Sequence, residues 1–362
     1  LFGSRDGWVY CLQASDGQLV WRFRAAPEER KMMAFEQLES TWPVHGSVLV
    51  QNDVLYCVAG RSAFTDGGMR LLRLDPMTGV KLGEVISNEL DPKTGETRQD
   101  SADKMSMPDI GLPDVLSGDG VNVFMRDAPV DFGQQPSTAA NATVELVPAI
   151  KRRLGFLDDT WLNRGGWSSG TRGWPSFTRI CVFDDSGMYG FGYNRQWLQL
   201  NPFEHHLFAF NPKRTPRPPT DQKAKTPPPK SPVPQGKKKP RPEPSYVWSQ
   251  PNLPLLVRAM ALAGETLFVA GPPDHGLAED AQSYLKHRSA EVQEKAQQQA
   301  DALDGKQGGL LWAVAKADGN RLAEHKLESP PVFDGMAAAG GRLYVSMMDG
   351  SVLCLGDRFV SK

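Results

Sequence analysis

The feature that most restricts the fold is a recurring unit, in which an apolar strand, a tight Asp-Gly or Gly-Gly turn and a second apolar strand lead into a further turn and strand. The clearest copy runs Asp6-Gly7-Trp8-Val9-Tyr10-Cys11-Leu12 and, past Ser15-Asp16-Gly17, into Leu19-Val20-Trp21-Arg22-Phe23. Two hairpin turns frame one alternating strand. A second copy reads Gly46-Ser47-Val48-Leu49-Val50, Val54-Leu55-Tyr56-Cys57-Val58 and Met69-Arg70-Leu71-Leu72-Arg73-Leu74, followed by Asp75-Pro76-Met77-Thr78-Gly79. Further copies centre on Val121-Asn122-Val123-Phe124-Met125, on Ile180 to Phe210 with Tyr246-Val247-Trp248, on Thr266 to Ala270, and on Arg342 to Ser346. A lone unit of this kind cannot bury its two faces, so the units must pack radially. The pattern predicts an all-β chain, a β-propeller of four-stranded blades with about six blades visible.

Composition agrees with many short strands joined by turns, since the chain holds 35 glycines and 29 prolines. The 41 Lys and Arg nearly balance the 42 Asp and Glu, which excludes a global field for nucleic acid. No apolar run approaches the roughly 18 residues that a transmembrane helix needs. The four cysteines are far apart, with no CxxC pair, and Cys11, Cys57 and Cys354 sit in apolar runs where the residue serves as a small core hydrophobe. The chain reads as a single propeller domain over 1–362, N-terminally incomplete because Leu1 opens in mid-blade. Two insertions interrupt it: a Pro/Lys-rich stretch over 212–244 read as a disordered loop, and a helical stretch over 277–303 with Leu285, Val292, Ala296 and Leu303 near helical spacing.

These repeats resemble the quinoprotein-like (PQQ-like repeat) propellers, which include quinone-dependent alcohol dehydrogenases and the outer-membrane assembly lipoprotein propeller. In that family a segment of the form Ala-x-Asp-x-x-Thr-Gly-x-x-x-Trp docks a tryptophan between neighbouring blades. Ala14 to Trp21 is a shortened match, with Gly17 and Trp21 at the family's spacing. The pattern decays elsewhere, because Gly83 follows Asp75 to Gly79, and Ala323 follows Ala317-Asp318-Gly319, where tryptophan would stand. The resemblance implies an extracytoplasmic binding or scaffold module, closer to the lipoprotein propeller than to the dehydrogenases.

The dehydrogenases carry vicinal cysteines beside the quinone and oxygen ligands for calcium. This chain has no adjacent cysteines, and its acidic pairs Asp158-Asp159 and Asp184-Asp185 read as turn residues. The expected activity is therefore non-enzymatic, with no catalytic residue, metal or cofactor; a PQQ- and calcium-dependent dehydrogenase with its cofactor loops outside this segment is the alternative. His205 and His206 are adjacent and would point to opposite faces of a strand.

Propellers present ligand surfaces where loops converge at the channel mouth, so a protein or small-molecule ligand is expected there. The richest loop holds Asp158, Asp159, Trp161, Arg164, Trp167, Arg172 and Trp174, residues suited to stacking and charged hydrogen bonds. The same tryptophans equally suit a channel plug or packing between blades. Trp42, His45, Arg61, Arg126 and Arg258 complete the ligand-binding candidates, each placed near a strand end or blade loop.

Overall fold

The computed structural model describes residues 1–34, 37–44, 48–63, 65–88, 113, 116–125, 128–132, 150–152, 167–169, 176–193, 205–211, 246–277 and 289–356. Blade one is β1 (Phe2–Gly3), β2 (Trp8–Leu12) and β3 (Leu19–Arg24). A separate hairpin, β4 (Lys31–Ala34) and β5 (Gln37–Ser40), leads to blade two, formed by β6 (Leu49–Gln51), β7 (Val54–Ala59), β8 (Met69–Leu74) and β9 (Lys81–Ser87). Blade three is β10 (Leu116–Gly118), β11 (Val123–Met125) and β12 (Ala128–Pro129). Blade four has β15 (Ser176–Asp184), β16 (Gly187–Tyr193), β17 (His205–Phe210) and β18 (Tyr246–Gln250), extended at its inner edge by β13 (Ile150–Arg152) and β14 (Trp167–Ser169). Blade five is β19 (Ala259–Ala263), β20 (Thr266–Gly271), β21 (Gly309–Ala315) and β22 (Arg321–Leu327); blade six is β23 (Pro331–Ala339), β24 (Arg342–Met347) and β25 (Val352–Gly356). Every pairing is antiparallel.

The chain is thus a β-propeller. Its inner strands lie side by side, β19 packing on both β15 and β23 and β6 on β10. Blade six meets blade one where Arg342 Nη1 donates to the Ala14 carbonyl at 2.9 Å.

The repeated Asp of the turns has a shared structural job. In seven of the turns its carboxylate accepts the backbone N–H two residues on: Asp6 from Trp8, Asp16 from Gln18, Asp75 from Met77, Asp119 from Val121, Asp184 from Ser186, Asp318 from Asn320 and Asp349 from Ser351. These bonds fix the turn conformation; the N–H groups of Thr78 and Met77 hold the Asp75 carboxyl below the usual carboxylate range, and the Ser351 hydroxyl and N–H do the same for Asp349.

Period-two alternation sends each strand's side chains to two different blade interfaces. On β7, Leu55 and Cys57 join Val9, Trp42 and Leu74 between blades one and two, whereas Tyr56 and Val58 join Leu116, Val123 and Met125 between blades two and three. On β20, Leu267 and Val269 face blade four, with Leu207, Trp312 and Val314, and Ala270 faces blade six, with Leu343 and Val345. The core is therefore distributed between the blades.

The insertion expected over 277–303 contains α1 (Ala290–Leu303), capped by Ser289, whose side chain accepts from the Val292 N–H. Gln299 fastens it to the propeller, donating to the Pro273 carbonyl at 3.1 Å and accepting from the His275 N–H at 3.0 Å. The stretch 212–244 lies outside the described residues.

All four cysteines are free. Cys57 is buried and burial pushes its thiol up to about 12, as a core residue should behave. Cys354 is exposed instead, because no strand covers the outer edge of β25 among the described residues. A thiol-specific colorimetric reagent applied to the native protein is therefore expected to modify Cys354 at once and Cys57 only after denaturant is added. Equal native rates at the two positions would refute the placement of β7 in the core.

Candidate functional site

Of the candidate ligand residues, Trp42, Arg61 and Arg258 have described side chains. Trp167 lies on β14 with its Cα opposite Thr178. His45, Arg126, Asp158, Asp159, Trp161, Arg164, Arg172 and Trp174 lie outside the described residues.

Trp42 follows β5 and is buried between blades one and two. Its indole Nε1 donates to the Asp66 carbonyl at 3.0 Å, and the Arg30 guanidinium lies 4.6 Å above its ring. Arg30 Nη2 is held in turn by Asp66 Oδ1 at 2.6 Å. Both a face and the N–H of this tryptophan are thus engaged within the protein.

Arg61, in the loop after β7, forms an ion pair with Glu39 of β5 at 2.7 Å, where the Glu39 side chain is only 4% exposed. Beside the hairpin, in the turn before β2, stands Arg5, whose carbonyl accepts from the Ser40 N–H at 2.8 Å and whose Nη1 donates to Gln37 Oε1 at 2.7 Å. Arg258 stands at the start of β19, with its N–H on the Ala270 carbonyl and its own carbonyl accepting from the Asp334 N–H of β23, both at 2.8 Å. Its Nη1 reaches Met348 Sδ at 2.8 Å. Burial, and then the like charge of Arg5, pull its guanidinium down to about 10. Arg5 is thus fastened to the hairpin β4–β5 while its charge is felt at Arg258. A further arginine, Arg179, is buried on β15, the inner strand of blade four. Sequence reasoning passed over Arg5 because nothing local to it shows that its charge reaches Arg258, more than two hundred residues on.

The acidic pairs do not form a metal centre among the described residues. Asp184 Oδ1 closes its own turn, and its Oδ2 pairs with Lys316 of blade five at 2.7 Å. Burial raises this carboxyl, but Lys316 and Ser186 outweigh that effect and leave it below the usual range. No three His, Cys, Asp or Glu side chains converge among the described residues. Asp184 is thereby committed to its own turn and to Lys316, while Asp158 and Asp159 lie outside the described residues.

His205 and His206 project from opposite faces of β17. The His205 ring stacks on Phe191 at 5.0 Å, while His206 packs against Phe208 and Tyr246 with Nδ1 2.7 Å from Ser249 Oγ.

The tryptophan docking expected at Trp21 is present, and a second junction, which the repeats did not announce, shows it too. Trp21 of β3 lies on the turn of blade two, its Nε1 donating to the Pro76 carbonyl at 3.2 Å; a Cβ at Gly79 would sit 2.6 Å from its ring. Trp248 of β18 lies likewise on the turn of blade five, its Nε1 donating to the Lys316 carbonyl at 2.9 Å; a Cβ at Gly319 would again meet the ring at 2.6 Å.

No protein-family model matches the chain, and no curated protein matches it in sequence. Among solved structures it is similar to the computationally designed protein Ika8, with a TM-score of 0.42 and 10% identity over 98% of this chain and 92% of that one. It is also similar to BamB from Moraxella catarrhalis, with a TM-score of 0.35 and 14% identity over 98% of this chain and 81% of that one. A third is the dihydro-heme d1 dehydrogenase NirN in complex with DHE, at a TM-score of 0.38 and 11% identity over 98% of this chain and 59% of that one. Likenesses this distant carry no argument about what the chain binds or does. Among the described residues no helix is long and apolar enough to cross a membrane.

Proposed function

We propose that this chain is a non-catalytic propeller module that binds a protein or small-molecule ligand at the channel mouth, and that the ligand offers an acidic group there. The observation that carries this reading is Arg258, buried at the inner end of blade five beside the charge of Arg5. A guanidinium can meet a carboxylate or phosphate with two parallel hydrogen bonds. The resemblance to the lipoprotein propeller supports an extracytoplasmic setting.

A fluorescein-labelled hexaglutamate peptide tests the reading by anisotropy. Binding is expected, weakened by added salt, and Arg5→Ala or Arg258→Met should each reduce affinity about tenfold, the loss of one charged hydrogen bond. Salt-independent binding, or variants equal to wild type, would refute the acidic-ligand reading. Reduction of an artificial electron acceptor after reconstitution with quinone and calcium would refute the non-catalytic one.

A further inference from the structure

The docked tryptophans occupy one fixed position in the blade, which the register identifies in four blades. In each, the pairing between the third and outermost strand is regular and then slips by a bulge, between Cys11 and Leu12, Arg73 and Leu74, Ala209 and Phe210, and Ala313 and Val314. The outermost residue paired just before the slip is Trp21, Gly83, Trp248 and Ala323 respectively. Carried across the sheet, this row reads Tyr56, Arg73, Gly83 in blade two, Tyr189, Ala209, Trp248 in blade four, and Phe268, Ala313, Ala323 in blade five. Blades four and five share the aromatic and the alanine and differ in the last member.

What fills the slot beyond the row differs accordingly. An indole fills it in blades one and four. In blade two the Arg73 guanidinium lies over Gly83 and takes the space. In blade five neither residue can do so, since Ala313 and Ala323 both end at Cβ. A cavity of about 680 Å³ opens there, facing blade six, with Phe268, Leu311, Ala313 and Ala323 on one wall and Leu343 and Leu355 on the other. Its size is that of a ligand pocket.

We propose that this slot between blades five and six binds a tryptophan side chain presented by a peptide segment of another protein. The occupant is named by the molecule itself, because the same row of residues in blade four is completed by an indole whose N–H finds a backbone acceptor. An aromatic ring entering here removes apolar wall from water on both of its faces and replaces the side chain that Ala323 lacks. The site is separate from the arginines of the channel mouth and does not depend on the reading given to them.

N-acetyl-L-tryptophanamide is the probe, with N-acetyl-L-leucinamide as control, followed by saturation-transfer NMR on the full 362-residue chain. The tryptophan probe is expected to bind and the leucine control to bind at least about tenfold more weakly, the difference that about 1.4 kcal/mol of aromatic contact produces. Ala323→Trp should fill the slot from within, raise Tm and abolish probe binding, while Ala323→Leu fills it in part and weakens the probe. Absence of binding to wild type, or equal binding to wild type and both variants, overturns the proposal. So does self-association of the wild-type chain that Ala323→Trp abolishes, which would assign the slot to a second copy.

Discussion

Replacing Trp248 by alanine is expected to lower stability by about 3 kcal/mol, the lower end of what core Trp→Ala substitutions cost, because this indole is partly exposed. Three losses combine. The ring leaves the cluster shared by blades four and five, where it packs beside Tyr189 at 6.3 Å between centroids. The Lys316 carbonyl loses its donor, and the flat face resting on Gly319 is replaced by a gap. Gly319 itself has φ of +79°, so Gly319→Ala pays both a left-handed backbone and a collision with the indole. In the Trp248→Ala background the collision disappears and only the backbone cost, about 1 kcal/mol, should remain. Urea unfolding of the two single variants and the double variant measures this coupling directly. Additive costs would show that ring and turn do not support one another. The same cycle at Trp21 and Gly79, where φ is +72°, is expected to behave alike.

The repeat was legible in the sequence because turns and alternation are local: the Asp turns and the strands they join stand where the pattern put them. Trp21 was legible for the same reason, lying four residues after Gly17. Trp248 as its counterpart was not, since the stretch 212–244 separates it from the strand it pairs with, and only the register with Ala209 reveals the equivalence. The hairpin β4–β5 was missed because Met32, Met33, Ala34, Gln37, Leu38 and Glu39 favour helix; tertiary bonds from Ser40 to Arg5 and from Thr41 to Arg30 decide otherwise. Strands β13 and β14 gave no repeat signal. Within the candidate site, a binding role for Trp42 was inferred from its residue type and place near a loop, which cannot tell an indole facing a ligand from one buried between two blades. Ala323 carries the opposite lesson. It was visible as a departure from the docking pattern, but that the departure opens a cavity depends on Ala313 across the strand pair, a contact set by register.

His206 should make the propeller sensitive to acid. Its ring is fully enclosed between Phe208, Tyr246 and Ser249, and burial pulls its pKa from 6.5 to about 4. In the native chain the imidazole then stays neutral down to about pH 4, whereas in the unfolded chain it takes up a proton from about pH 6.5 downward. Between these values the unfolded state binds more protons, so stability rises with pH across the window and is lost as pH falls through it. Above the window both states are neutral and the residue contributes no pH dependence. The size is about 2 to 3 kcal/mol between pH 7 and pH 4. Carboxylates titrate over part of the same range, so the informative quantity is the difference between wild type and His206→Phe, in which their contribution cancels. Phenylalanine keeps the ring packing and cannot be protonated. Relative to that variant, wild-type stability should therefore fall by the stated amount as the solution is acidified, read from urea midpoints at a series of pH values. Parallel curves would mean that the folded chain protonates this histidine as readily as the unfolded one, and that its burial does not depress the pKa.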